Sequence, residues 1–205
     1  MRVTPSDSVA AARVSLRAEL RARRRALTPG ERLHAAHLVA RNIDHKLGLR
    51  AGARVALYCS MRDELDSAPL FALARRRGWR VYLPRIERAR LSRKMRFVAA
   101  EGEERVNRLG IREPLGHSTL SARWLDVVFV PLVGFDAHGM RLGMGAGFYD
   151  RAFAYRRWRR AWHKPRLIGI AYAFQEVPRI VPAAHDVRLD AVVTEEGVRK
   201  CITGS

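Results

Sequence analysis

The run DVVFVPLVGFD, Asp126 to Asp136, is apolar at nearly every position. A strand with one wet face alternates apolar and polar residues, so an uninterrupted run of this length predicts a central strand covered on both sides. Its surroundings agree. ARVALYCS (53–60) is β-rich, SAPLFALARRRG (67–78) reads as a helix ended by Gly78, and RVYLPRI and MRFVAA read as further strands. After a glycine-rich loop come a helix, YDRAFAYRRWRRAW (149–162), and two late strands in RLIGIAY and DAVVTEEG. Strands alternating with helices predict a three-layer α/β/α sandwich around a mostly parallel sheet.

Two helices precede the first strand. From about Ser8 to Leu27, Val9, Ala12, Leu16, Leu20 and Leu27 fall near one helical face, with arginines on the others. TPGE then offers Thr28 as a cap, Pro29 at the first helical position and Glu31 three residues after the cap, a capping-box start for a helix through about Lys46. No internal repeat, low-complexity linker or domain boundary interrupts the 205 residues, so one domain over 1–205 is expected.

Charge narrows the partners. The formal net charge of +19 comes from 39 Lys and Arg against 20 Asp and Glu, which favours polyanionic ligands: nucleotides, phosphorylated or polycarboxylate metabolites, or nucleic acid. Cys59 and Cys201 stand far apart without metal-ligand spacing, so neither a disulfide framework nor a zinc site is predicted and a reducing, cytoplasmic setting fits. No apolar run reaches the ~18 residues of a membrane span, and the arginine-rich start lacks the apolar middle of a secretory signal. With no separate oligomerisation segment, a monomer is expected.

GFDAHGMRLGMGAGFYD carries the chemistry. It joins the carboxyl end of the central strand to a helix start, where open α/β sheets bind ligands. Gly143, Gly145 and Gly147 bare the backbone at every second residue, so amide hydrogens can turn toward an anion, aided by the amino end of the next helix. Arg141 can fork onto phosphate oxygens, and Asp150 can give an oxygen to the magnesium that accompanies a nucleotide. The spacing is neither a Walker loop nor a dinucleotide fingerprint. The glycines alone fit a phosphate cradle and a tight βα turn equally well.

The whole undecapeptide RLGMGAGFYDR resembles the signature of the 5-formyltetrahydrofolate cyclo-ligase family. LRAELRARRRALTPGER, YCSMRDELDSAPL, VYLPRI, GIREP, VFVPLVGFDAHG, LIGIAYAFQEVP and HDVRLDAVVTEEG match the same family in order, from about Arg13 to Gly197. The resemblance implies ATP- and magnesium-dependent conversion of 5-formyltetrahydrofolate to 5,10-methenyltetrahydrofolate, with ATP as co-substrate. Carried over by position, Arg13 and Arg17 would reach ATP, and Arg141 with the backbone of Leu142, Gly143, Met144, Gly145, Ala146, Gly147, Phe148 and Tyr149 matches the nucleotide segment. Met144 to Phe148 would also approach the folate, beside Cys59, Glu64 and Tyr82. Asp150 and Asp186 match magnesium ligands, while Glu64 and Arg141 take the catalytic roles. The positive surface further predicts tolerance of polyglutamylated folates.

This chain also departs from the family's pattern. Ala146 replaces a frequent glycine, Phe148 a frequent tyrosine, and Leu109 a common aromatic residue. His138, His163 and His185 have no mutual metal spacing and read as structural or surface residues. The reading from another class is a nucleic-acid-binding protein on the same fold, motivated by the arginine clusters RARRR, ARRRG and YRRWRRAWHK with Trp158 and Trp162. It lacks any RNA-binding or zinc motif, so nucleic acid is not required by the enzyme reading.

Overall fold

The structure, a computed structural model, describes residues 5–61, 63–86, 94–100, 104–106, 112–114, 118–158 and 164–202. Leu109, Trp162 and His163, singled out above, lie outside them.

Helices α1 (Pro5–Ala26) and α2 (Pro29–Lys46) come first. The capping box at Thr28 forms: the Glu31 amide donates to Thr28 Oγ1 at 3.2 Å and the Thr28 amide donates to Glu31 Oε2 at 2.8 Å. Then follow β1 (Arg54–Ala56), α3 (Ala68–Arg76), β2 (Arg80–Ile86), β3 (Met95–Ala99), β4 (Glu104–Val106), β5 (Arg112–Pro114) and β6 (Thr119–Leu120). The second half holds β7 (Val127–Pro131), β8 (Gly134–Phe135), β9 (Arg141–Leu142), α4 (Phe148–Ala152), β10 (Arg166–Ile170), β11 (Ala191–Thr194) and β12 (Gly197–Lys200).

Eight strands form one sheet in the order β12-β11-β10-β7-β1-β2-β3-β6. The five central ones are parallel, β12 and β3 run antiparallel to them at the margins, and β6 pairs antiparallel with β3 at the outer edge. Residue parity assigns the two faces. Val55, Val127, Phe129, Ile168 and Val193 pack under α2 and α3, while Ala56, Val128, Val130, Leu167 and Val192 pack with Phe97, Leu125 and Phe153 on the other side. Burial on both faces explains why β7 shows no alternation.

From β1 the chain passes through α3 to β2 on one side, whereas β7, β10 and β11 lie on the other. The carboxyl ends of β1 and β7 therefore flank the point where strand order reverses, which opens a crevice there.

Three local expectations change. The apolar run 126–136 is not one strand: β7 stops at Pro131, and β8 pairs with β9 as a separate hairpin. Beyond Pro131 side chains replace the sheet neighbours, since Arg24 donates to the Leu132 carbonyl and Gln175 to those of Leu132 and Val133. Of the helix expected over 149–162, the described part is a five-residue α4 followed by a 3-10 turn, Ala154–Trp158, and residues 159–162 lie outside the described residues. Phe153 and Tyr155, two residues apart, both pack against the same core cluster, which a continuous α-helix would not permit. On α1, Ala12 is exposed, and Arg13, Arg17 and Arg24 share the inward face with Leu16 and Leu20.

Candidate active site

A cleft of about 410 Å³ lies at the sheet's reversal point. One wall is formed by Ala10, Arg13, Val14 and Arg17 of α1, on adjoining turns beside the helix's inward face. The floor is Pro131 and Leu132 at the end of β7 with Glu64 from the turn after β1. The glycine loop closes the far side, from Gly143 to Asp150, with His185 and Asp186 at the rim.

The loop reaches this position because the β8–β9 hairpin carries the chain back toward α1. There Arg17 Nε donates to the Gly143 carbonyl at 2.8 Å, tying loop to helix. Gly145 (φ +97) and Gly147 (φ +63) adopt left-handed angles that a Cβ opposes. Ala146 does not, because no residue other than glycine has positive φ among the described residues. Its Cβ is therefore accommodated where the family often has glycine. Arg151 braces the turn from outside, donating to the Ala146 carbonyl at 2.7 Å with its guanidinium 5.1 Å from the Phe148 ring centre. With only five residues, α4 adds less dipole than the sequence led us to expect.

Both aspartates of the cleft are paired with arginines. Arg141, 6% exposed, donates to Asp150 Oδ1 at 2.6 Å and to the Val187 carbonyl, and the Val187 amide donates to the same carboxylate oxygen at 3.0 Å. Arg13 donates to Asp186 Oδ2 at 3.1 and 3.2 Å, an oxygen that also accepts from the Ala183 amide at 2.9 Å. In each aspartate these bonds fall on one oxygen. Glu64 is half-buried, and its Oε2 accepts from the Met61 amide at 2.9 Å. Burial pushes its carboxyl above the ordinary range, opposed by that hydrogen bond and by the positive charge of Arg24 and Arg21. Burial, reinforced by Glu64, raises the Tyr149 hydroxyl far above its usual value, so it stays a neutral donor.

A model of the 5-formyltetrahydrofolate cyclo-ligase family matches residues 9–195. The chain belongs to that family. A cyclo-ligase of Escherichia coli (strain K12) is 35% identical over 182 residues, covering 87% of this chain and 98% of the relative. A mouse (Mus musculus) cyclo-ligase is 30% identical over 198 residues, covering 92% and 96%. The 5,10-methenyltetrahydrofolate synthetase of Aquifex aeolicus superposes with a TM-score of 0.78 at 29% identity over 94% of each chain. The Mycoplasma pneumoniae synthetase superposes with a TM-score of 0.69 at 22% identity, covering 89% of this chain and 98% of that one, a likeness of fold.

Against this cyclo-ligase background, most of the expected site residues line one cleft and three do not. Leu142 is fully buried in a small cluster with Met140 and Ile180, so only its backbone belongs to the loop. Cys59 packs against the core under α2 and α3, and Tyr82 against the opposite core cluster, at the level where β1 ends. Sequence reasoning missed Ala10, Val14, Pro131, Leu132 and His185. The first two stand three residues before Arg13 and Arg17, a legible helical signal; His185 is merely adjacent to Asp186, its Nε2 3.8 Å from Oδ1.

Among the described residues, several arginines of the clusters behind the nucleic-acid reading have partners within the chain, while Arg76, Arg77 and Trp158 remain exposed. Arg21 and Arg24 share Asp63, Arg76 and Arg77 share Asp44, Arg156 pairs with Asp190, and Arg23 lies 4.7 Å over the Phe174 ring. Among the described residues no helix is long and apolar enough to cross a membrane.

Proposed function

We propose that the cleft binds ATP with magnesium and 5-formyltetrahydrofolate and converts them to 5,10-methenyltetrahydrofolate, ADP and phosphate. Family membership supports the reaction. The observation that carries its location is that Arg13, Arg17, Arg141, Asp150, Asp186 and Glu64, up to 173 residues apart in sequence, all line one cleft with the glycine loop.

The triphosphate lies along the bared backbone from Gly143 to Gly147, with Arg141, Arg13 and Arg17 supplying positive charge. Asp150 and Asp186 would hold magnesium through the oxygens that their arginine partners leave open; two carboxylates plus phosphate oxygens and water suit this ion. When bound, magnesium would neutralise charge on the phosphate being transferred. Glu64, on the cleft floor, orients the folate with its formyl oxygen toward the γ-phosphorus. That oxygen attacks, an O–P bond forms, the β–γ bridge breaks and ADP leaves. N10 of the folate then attacks the activated carbon, the C–O bond breaks and phosphate departs, while N10 gives up its proton. The protein chiefly places the groups in line and screens charge, which is most of what phosphoryl transfer requires.

The excess of positive charge also suits polyglutamylated folates, and residues 1–205 are taken as one cytoplasmic, monomeric catalytic unit. ATP-dependent growth of methenyl absorbance with 5-formyltetrahydrofolate tests the reaction. Wild-type protein should show it and Glu64→Gln should lose most of it while remaining folded. No methenyl product with ATP and magnesium present would sink the proposal, and equal rates in Glu64→Gln would remove the role assigned to Glu64.

A further inference from the structure

Arg24 has a position that its sequence context hides. It sits in RARRR, where it reads as one more surface charge, yet it is 2% exposed in the last turn of α1. Its guanidinium faces two partners at once. One amino group donates to the Leu132 carbonyl at 3.2 Å, and the other donates to Asp63 Oδ2 at 2.8 Å. Both contacts touch the cleft floor: Leu132 lines it, and Asp63 precedes Glu64, which lines it as well. Arg21 reaches the same Asp63 oxygen at 3.5 Å from the exposed side.

Arg24 also continues the stripe that begins with Arg13 and Arg17. The spacings of four and seven residues put all three on one face of a single helix. One rigid element thus holds the nucleotide-side arginines at one end and, through a planar two-armed group, the Glu64 turn and the end of β7 at the other. A buried guanidinium is costly unless well paired, and in this case one group ties together three chain segments, with the more exposed Arg21 adding a longer contact to Asp63.

We propose that Arg24, acting through Asp63, is a positioning residue that sets the location of Glu64 relative to the nucleotide arm of α1. The inference rests on the reading of Glu64 given above. Charges around Glu64 are consistent with it, since Arg24, Arg21 and Asp63 act on its carboxyl, and Glu64 interacts with Tyr149 of the cleft and with the buried Tyr58.

The test is a double-mutant comparison. Arg24→Lys keeps the charge but cannot span both partners, and Asp63→Asn keeps the shape but loses the ionic partner. Steady-state kinetics are measured for each in the wild-type and Glu64→Gln backgrounds. Binding of a non-hydrolysable ATP analogue and, with that analogue and magnesium present, of 5-formyltetrahydrofolate is measured by calorimetry. Each substitution should lower kcat/KM for the folate about tenfold or more and leave analogue affinity within about twofold. In Glu64→Gln neither should weaken folate binding further, because the group being positioned is gone. Asp63→Glu should recover part of the loss. If Arg24→Lys melts below the assay temperature, Asp63→Asn carries the same comparison. Equal losses in both backgrounds, or loss of analogue affinity in step with folate activity, would overturn the proposal and leave Arg24 a structural residue. Full activity of Glu64→Gln alone would instead refute the role of Glu64.

Discussion

Two single-methyl insertions separate the loop's conformational demands from its ligand contacts. At Gly143 an added Cβ would meet nothing within 4 Å, and φ lies in the ordinary region; at Gly145 the space is equally open but φ is +97. Gly143→Ala should therefore change stability by no more than about 0.5 kcal/mol. Gly145→Ala must hold an L-residue in a left-handed conformation, which costs about 1–2 kcal/mol and lowers Tm by about 2–8 °C in a chain of this size. Both residues line the cleft, so either methyl occupies space that the triphosphate needs against the backbone. Loss of one charge-assisted hydrogen bond, about 1.5–3 kcal/mol, weakens binding of an ATP analogue by about 10- to 150-fold. Calorimetric titration with magnesium present, alongside differential scanning calorimetry, reads both quantities. Gly143→Ala with unchanged Tm and wild-type affinity would refute the backbone cradle. A Gly145→Ala protein as stable as wild type would refute the conformational argument.

Two further outcomes follow from the ionisable groups. Asp150→Ala removes the carboxylate from Arg141, itself 6% exposed, and should destabilise the protein by about 3 kcal/mol in urea unfolding. Asp150→Asn keeps acceptors for Arg141 and the Val187 amide and should cost much less stability, yet lose magnesium-dependent turnover; wild-type activity in Asp150→Asn would exclude Asp150 as a metal ligand. Because burial holds the Glu64 carboxyl above its ordinary value, its contribution to stability is full below the ordinary carboxyl range and is lost as pH rises through the raised folded value. Melting temperatures of wild type should therefore fall relative to Glu64→Gln as pH rises from the ordinary carboxyl range through the raised folded value, and parallel profiles would contradict the sign of the shift.

The layers were legible because their signals are local and periodic. β7 announced double-sided burial through four consecutive apolar residues, Val127 to Val130, and Thr28 with Glu31 announced the start of α2. The end of β7 was not legible, since it depends on Arg24 and Gln175, 108 and 43 residues away from Leu132 in sequence, replacing strand neighbours at its carbonyl. The break after α4 was hidden for a similar reason: Phe153 and Tyr155 look compatible with a basic helix until the sheet requires both on one side. In the site, residue types carried the prediction. Arg141, Asp150 and the glycines are contiguous and easily read, and Glu64 and Asp186 entered only through the family resemblance. Arg24 was invisible because burial of one arginine among several leaves no trace in composition or spacing.

The most direct measurement is a crystal structure with a non-hydrolysable ATP analogue, magnesium and 5-formyltetrahydrofolate. The triphosphate is expected along residues 143–147, with the ion between Asp150 and Asp186 and the formyl group between the γ-phosphate and Glu64. A triphosphate bound away from the loop, or both aspartates still locked on Arg141 and Arg13 with no ion beside them, would contradict it.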